Sequence, residues 1–155
     1  MNDKPIYKDI IQNKKARHDY SIITTFEAGI ELVGTEVKSL RDKNANLTDS
    51  YAQIKNGEVW LVNSHIGVYK HGNINNHEPL RKRRLLLHKV EIRKLLKYQN
   101  EKGYTLIALK LYFKNGKVKV ELAVAKGKKE YDKRETLAKK EAVLDINRNK
   151  NKYRD

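Results

Sequence analysis

Two kinds of residue in this chain could do chemistry: its histidines and its clustered cations. The five histidines are His18, His65, His71, His77 and His88. No two stand at the HExxH or other i, i+4 spacing that puts paired imidazoles on one helix face. His71 and His77 fall in a polar Gly/Asn loop with no third ligand beside them. A metal centre is therefore not expected, although imidazole and amide groups there could touch RNA. Gly127-Lys128-Lys129 has the form of the end of a phosphate-binding loop. A Walker A loop needs an earlier glycine and a hydroxyl residue after the lysine to hold magnesium. Position 122 is Leu and position 129 is Lys, so the loop is not one. There is no GxSxG elbow, the Asp and Glu residues show no distinctive pairing, and without cysteine there is no thiol nucleophile. No catalytic residue, metal or cofactor is expected, and the chain does not read as an enzyme.

The cations are more informative. Arg81-Lys-Arg-Arg84 is a candidate phosphate site, and Asn13-Lys-Lys-Ala-Arg-His-Asp-Tyr20 puts three cations just before a strand. In both, arginine can fork onto phosphate while lysine acts as a point charge. A lone basic run is as readily a solvated loop. Leu85-Leu-Leu87 should pin the first run to the core, so that its arginines are held in place.

Charge supports a polyanionic partner. The 155 residues carry 34 Lys+Arg against 19 Asp+Glu, a formal +15, with a pI near 9.8. Nucleic acid is the first candidate and an anionic membrane surface the second. Residues 81–97 hold eight basic residues and one acid, and residues 126–155 hold eleven basic and six acidic. The stretch from Tyr20 to Glu78 is close to neutral. Absence of cysteine excludes a disulfide framework. The N-terminal apolar run is too short and interrupted for a signal peptide, and no stretch approaches a membrane span. A cytoplasmic, soluble protein without membrane partners is expected, and the sequon Asn46-Leu47-Thr48 is read as chance.

The elements that must position these cations are mainly β. Tyr20–Phe26 and Gly29–Val33 read as strands. Thr35–Arg41 reads as a short helix. Tyr51–Lys55 and Glu58–Val62, joined by Asn56-Gly57, form a hairpin whose turn residues tolerate φ > 0. Thr105–Phe113 and Val118–Val124 around Asn115-Gly116 repeat the design. His88 to about Lys102 is a helix with Ile92, Leu95, Leu96 and Gln99 on one stripe, and Gly103 ends it. This predicts a mainly β fold with flanking helices, a closed barrel of the OB type over residues 1–127. Residues 128–155 read as a basic tail, helix-prone but with little to bury, disordered alone and ordered on a polyanion.

With these motifs in view, the chain resembles the SsrA-binding protein (small protein B, SmpB) family. The resemblance is carried by Asn13–Tyr20, Phe26-Glu-Ala-Gly-Ile30, Gly34-Thr-Glu-Val-Lys-Ser-Leu-Arg41, Asp49-Ser-Tyr51, Arg83-Arg-Leu-Leu-Leu87 and Gly127-Lys-Lys-Glu-Tyr-Asp-Lys-Arg134. It runs from about residue 6 to 150 in order and spacing. It implies an OB-type barrel that binds transfer-messenger RNA (tmRNA) at its tRNA-like domain. It also implies a monomeric adaptor of trans-translation that rescues stalled bacterial ribosomes. There the protein stands in for the anticodon arm, and its tail becomes helical in the empty mRNA channel of the small subunit, next to the decoding centre. Elongation factor Tu and alanyl-tRNA synthetase would be partners only through the RNA.

By the same resemblance, Asn13, Glu27 and Leu86 fall at positions tied to tmRNA binding. Lys14, Lys15, Arg17, His18, Lys38, Arg41, Arg83 and Arg84 join them as RNA-facing candidates. Physically, Asn13 can donate to a backbone or base. Glu27 suits orienting a cation or accepting from a ribose hydroxyl, and Leu86 suits packing. Gly127, Lys128, Lys129, Tyr131, Asp132, Lys133 and Arg134 match a segment used for accommodation in the ribosome. Tyr131 departs from the pattern, since many relatives carry His there; its ring can still stack on a base. The alternative functions are a ribosomal protein or general OB-fold RNA chaperone, and a small nuclease for which no acid/base or metal constellation is found.

Overall fold

A computed structural model describes residues 4–72 and 75–128. In chain order the elements are β1 (Tyr7–Gln12), α1 (Lys14–Asp19), β2 (Tyr20–Ile30), α2 (Gly34–Arg41), β3 (Ala45–Asn46), β4 (Tyr51–Lys55), β5 (Glu58–Val62), β6 (His65–Ile66), β7 (Arg83–Leu86), α3 (Lys89–Asn100), β8 (Tyr104–Lys114) and β9 (Lys117–Gly127). Among the described residues the fold is mainly β sheet, as composition and patterning predict, with the two expected helices, α2 and α3, and a short α1 that was not expected.

Both Asn-Gly hairpins form as read. Asn56 and Gly57 have φ of 53° and 75°, and Asn115 and Gly116 have 50° and 78°. Both central residues of such a turn need positive φ, which Asn tolerates and Gly adopts freely. Seven strands pair antiparallel in the order β1-β8-β4-β5-β7-β2-β9, and β8 also pairs with β9. The central β8–β9 hairpin matches Tyr104 with Lys126 at one end and Lys114 with Lys117 at the other. The expected strands at Tyr20–Phe26 and Gly29–Val33 are one strand, β2, which bends through a register shift between Ile22 and Thr24 against β9. Gly29 sits where β2 meets β7: a Cβ there would stand 3.3 Å from the Leu86 Cβ.

The β8–β9 hairpin is buried on both faces. One face supplies Leu106, Ala108, Leu111, Val120, Leu122 and Val124 to the main core. The other supplies Ile107, Leu109, Ala123 and Ala125 to a smaller cluster capped by Ala16 of α1. Both strands consequently read as long apolar runs. Leu95 of α3 is fully buried, with Ile92 and Tyr98 packed against the main core. Gln99 clamps the sheet edge, accepting from the Ile54 N–H at 2.7 Å and donating to its carbonyl at 3.3 Å. The expected stripe is corrected at Leu96, which is 39% exposed; Tyr98 takes the inward place. Gly103, at φ 96°, turns the chain from α3 into β8.

Candidate nucleic-acid interface

Helix α1 carries Lys14, Lys15 and Arg17 to the surface while Ala16 faces inward. Asn13 holds it there. The Asn13 Nδ2 donates to the carbonyls of Leu47 and Ala108, both at 3.0 Å, and its Oδ1 caps the helix by accepting from the Ala16 N–H at 3.1 Å. The Asn13 N–H donates to Leu109 O at 2.7 Å. Asn13 is 4% exposed. The expectation that its side chain donates to RNA is corrected: its amide is spent on the Leu47 and Ala108 carbonyls, which would otherwise be buried without that donor. Asn13 thus fixes the helix that carries the cations. Lys15 lies 3.5 Å from Asp49 and Arg17 3.7 Å from Glu121, both solvent-facing. The His18 Nδ1 lies 2.9 Å from Asp19.

From Arg17 the outer face continues across the sheet. Glu121, opposite Glu27 in the β2–β9 register, is shared with Lys110 at 3.8 Å, and Lys110 also reaches Asp9 at 3.6 Å. The two facing carboxylates repel unless cations lie between them. Glu27 solves this by accepting from the Lys114 Nζ at 2.9 Å and the Tyr112 Oη at 2.6 Å. The hydrogen bond from Lys114, then that from Tyr112, hold the Glu27 carboxyl below its ordinary value. Burial, then the bond to Glu27, push the Tyr112 hydroxyl well up. Lys114 also lies over the Tyr7 ring at 5.8 Å. The reading of Glu27 as a residue that orients a cation therefore has a geometry: the cation is Lys114.

Further along the same face, Leu86 lies opposite Gly29, two residues beyond Glu27. It is 46% exposed, while Leu85 is buried and Leu87 packs against the core. Leu85 and Leu87 thus do the pinning, and Leu86 presents an apolar surface to the outside. Arg84, two residues before Leu86, stays outward, with Glu31 at 3.8 Å and Glu58 at 4.0 Å. On α2, Lys38 lies over the Tyr69 ring at 5.5 Å, and Arg41 is exposed with no ion pair among the described residues.

Arg83 is the clear correction. Expected to face phosphate, its side chain is wholly buried. Its Nε lies 2.5 Å from Glu36, and its Nη1 donates to Ser64 O at 2.7 Å and Ser64 Oγ at 3.0 Å. Its Nη2 donates to Pro79 O at 3.1 Å. Arg81 closes the same node, donating to Glu36 at 2.6 Å. Burial pushes the Glu36 carboxyl up, but bonds from Arg81, the Val33 N–H and Arg83 outweigh it and hold Glu36 below its ordinary value. Burial also lowers Arg83, against the pull of Glu36. Strand alternation causes this: Leu85 must face inward, so Arg83 does too. Sequence reasoning missed Glu36, Tyr112 and Lys114, whose partners lie 45 to 87 residues away.

His77 is a satisfied structural histidine. Its Nδ1 pairs with Thr35 Oγ1 and its Nε2 with Ile66 O, each at 2.8 Å. Gly127 ends β9, and the Lys128 N–H donates to Asp19 O at 2.9 Å. Lys129, Tyr131, Asp132, Lys133, Arg134 and the expected tail helix lie outside the described residues.

Fold and surface define a class: a β-rich protein whose basic outer face, ordered by interleaved carboxylates, suits a polyphosphate backbone. The comparisons make it particular. The SmpB protein family model matches residues 10–152, and the chain belongs to that family. An SsrA-binding protein of Clostridium tetani is 62% identical over 141 residues, covering 91% of this chain and 90% of the relative. One of Clostridium botulinum, strain Hall, is 58% identical over 148 residues, covering 96% and 95%. A chain from a solved structure of tmRNA–SmpB in the bacterial ribosome matches with a TM-score of 0.67 and 50% identity. The match covers 77% of this chain and 85% of that one.

Proposed function

We propose that this protein binds tmRNA at its tRNA-like domain and carries it to stalled bacterial ribosomes as a non-catalytic adaptor of trans-translation. The observation that carries this is the near-full-length likeness to SsrA-binding proteins, joined by a 50% identical chain solved as tmRNA–SmpB in the bacterial ribosome. The fold is read as an OB-type closed barrel over residues 1–127. Supporting closure, β8 pairs with β4 as well as β9, and β9 pairs with β2, so the pairings return on themselves. The RNA-facing residues are Lys14, Lys15, Arg17, His18, Lys38, Arg41, Arg84 and Leu86. Asn13 and Glu27 act behind them, and Arg83 supports the strand. Residues 127–134 serve accommodation, and residues 128–155 are the tail that reads the empty mRNA channel. Elongation factor Tu and alanyl-tRNA synthetase meet the protein only through the RNA, and it works in the cytoplasm as a monomer. No helix among the described residues is long and apolar enough to cross a membrane.

The test is equilibrium binding of the full chain to tmRNA at fixed salt, challenged with excess ribosomal RNA fragments and single-stranded RNA. Retention of tmRNA against both is expected. Equal displacement by either would favour a ribosomal protein or general RNA chaperone instead.

A further inference from the structure

The outer face of β4, β5 and β7 carries a groove of about 390 Å³ lined by Gln53, Lys55, Asn56, Glu58, Trp60 and Lys82. Trp60 is the chain's only tryptophan. It lies opposite Gln53 on β4 and Arg84 on β7. Its neighbours Val59 and Leu61 are fully buried, so strand alternation turns the indole away from the core. Among the described residues the indole N–H has no hydrogen-bond partner and its ring meets no other ring. The Gln53 amide is likewise unpartnered among the described residues. Lys55 and Lys82 are exposed and form no ion pair among the described residues. The one carboxylate lining the groove, Glu58, faces Arg84 at 4.0 Å. Buried or half-buried Trp N–H groups ordinarily find a partner; here donor, amide and cations converge on open space.

We propose that this groove is a base-stacking subsite: it takes one unpaired nucleobase of a bound RNA on the Trp60 ring. The indole N–H and the Gln53 amide meet the base or ribose, and Lys55 and Lys82 meet the flanking phosphates. The proposal deepens the RNA-binding reading and rests on it. An aromatic ring flanked by cations is the device by which proteins hold unstacked bases without reading sequence. A base paired in a duplex has no free face to offer, so the subsite discriminates single-stranded from paired RNA. It lies further along the outer face from Glu27, on other strands, with Arg84 opposite Trp60 and two residues before Leu86.

Because Trp60 is the only tryptophan, emission of the full chain excited at the red edge, where indole absorbs and tyrosine does not, reports this groove alone. The chain is titrated with a twelve-nucleotide mixed-sequence single-stranded RNA, with the blunt duplex of that RNA and with tmRNA, while retention on filters measures binding independently. Saturable quenching by the single strand and by tmRNA is expected, with little change from the duplex. Trp60→Leu should weaken single-strand binding about 5- to 150-fold, the range of one base stack. Trp60→Phe should restore most of it. Lys55→Ala/Lys82→Ala, on exposed side chains that do not bear on folding, should weaken it with a shallower salt slope. RNA retained on the filter while emission and the variants' affinities stay unchanged would overturn the subsite and leave the RNA-binding reading standing. No retention of any RNA would overturn both.

Discussion

Glu36 offers the sharpest test of how the basic surface is held. Its side chain is fully buried and accepts from Arg81, Arg83 and the Val33 N–H. Glu36→Gln keeps the volume and one acceptor oxygen but removes the charge that offsets a wholly buried guanidinium. Breaking a buried pair by removing one partner destabilises by about 3–5 kcal/mol. Arg83 keeps neutral acceptors at Ser64 and Pro79, so the lower end applies, about 3 kcal/mol. Against a total of roughly 5–15 kcal/mol, that is a large share. With a urea m-value of about 1.5 kcal/mol/M, the unfolding midpoint should fall by about 2 M.

The assay is urea unfolding followed by circular dichroism, with Glu36→Leu, Arg83→Met and Glu36→Leu/Arg83→Met completing a cycle beside Glu36→Gln. The double variant should recover most of the loss, since an apolar pair of similar volume is often neutral in such a site. Linkage supplies an independent check. Glu36 titrates below its unfolded value, so its contribution is present above about pH 4.5 and is lost as the pH falls through the folded value. The wild-type chain should lose stability in that window, and the Glu36→Gln variant should lose less. A midpoint shift under about 0.5 M, or a double variant no better than either single one, would refute the view that Glu36 holds the β7 arginines.

Four further outcomes follow from the interface. Lys14→Ala, which breaks no ion pair among the described residues, should weaken tmRNA binding and reduce the log K against log salt slope by about 0.7–0.9; an unchanged slope removes Lys14 from the contact. Asn13→Ala should lower the melting temperature, since it orphans two buried carbonyls and a cap at about 1–3 kcal/mol for each buried carbonyl and about 1 for the cap. Its tmRNA affinity should fall as α1 loosens, and lost affinity at unchanged stability would instead mean direct contact. Glu27→Gln should change stability by under about 1 kcal/mol, the carboxylate being partly exposed, yet let Tyr112 ionise at lower pH in an alkaline ultraviolet titration, and no shift would deny the hydrogen bond. Removing residues 132–155 should leave tmRNA affinity largely intact and abolish peptide tagging on stalled ribosomes, and equal loss of both would sink that division of labour.

Much of the fold was legible because its signals are local. Asn56-Gly57 and Asn115-Gly116 demand positive φ at both positions, and alternation on either side fixes the strands. Strands β1 and β7 were not legible. β1 is an edge strand whose residues are mostly exposed, so Lys8 and Asp9 break the apolar pattern. β7 is four residues long and turns an arginine inward. Charge patterning sends Arg83 to solvent by default; only its pairing with Glu36, 47 residues away, makes the inward rotamer tolerable. The same distance hid Tyr112 and Lys114 behind Glu27. Burial splits the residues marked by motif into those that face outward, such as Lys14, Lys15 and Arg17, and those that hold them, such as Asn13 and Arg83.

That split changes how the charge of +15 should act. Lys15 and Arg17 rest against Asp49 and Glu121 at 3.5 and 3.7 Å on the surface, where such pairs are worth little. A phosphate can take either cation at small cost. Lys114, held by Glu27 at 2.9 Å over the Tyr7 ring, keeps its carboxylate and would present a neutral pair to an approaching phosphate. Arg83 does not meet it at all. Measured counterion release should therefore fall well short of the number of basic residues at the interface, and the shortfall counts the cations already committed to the protein's own carboxylates.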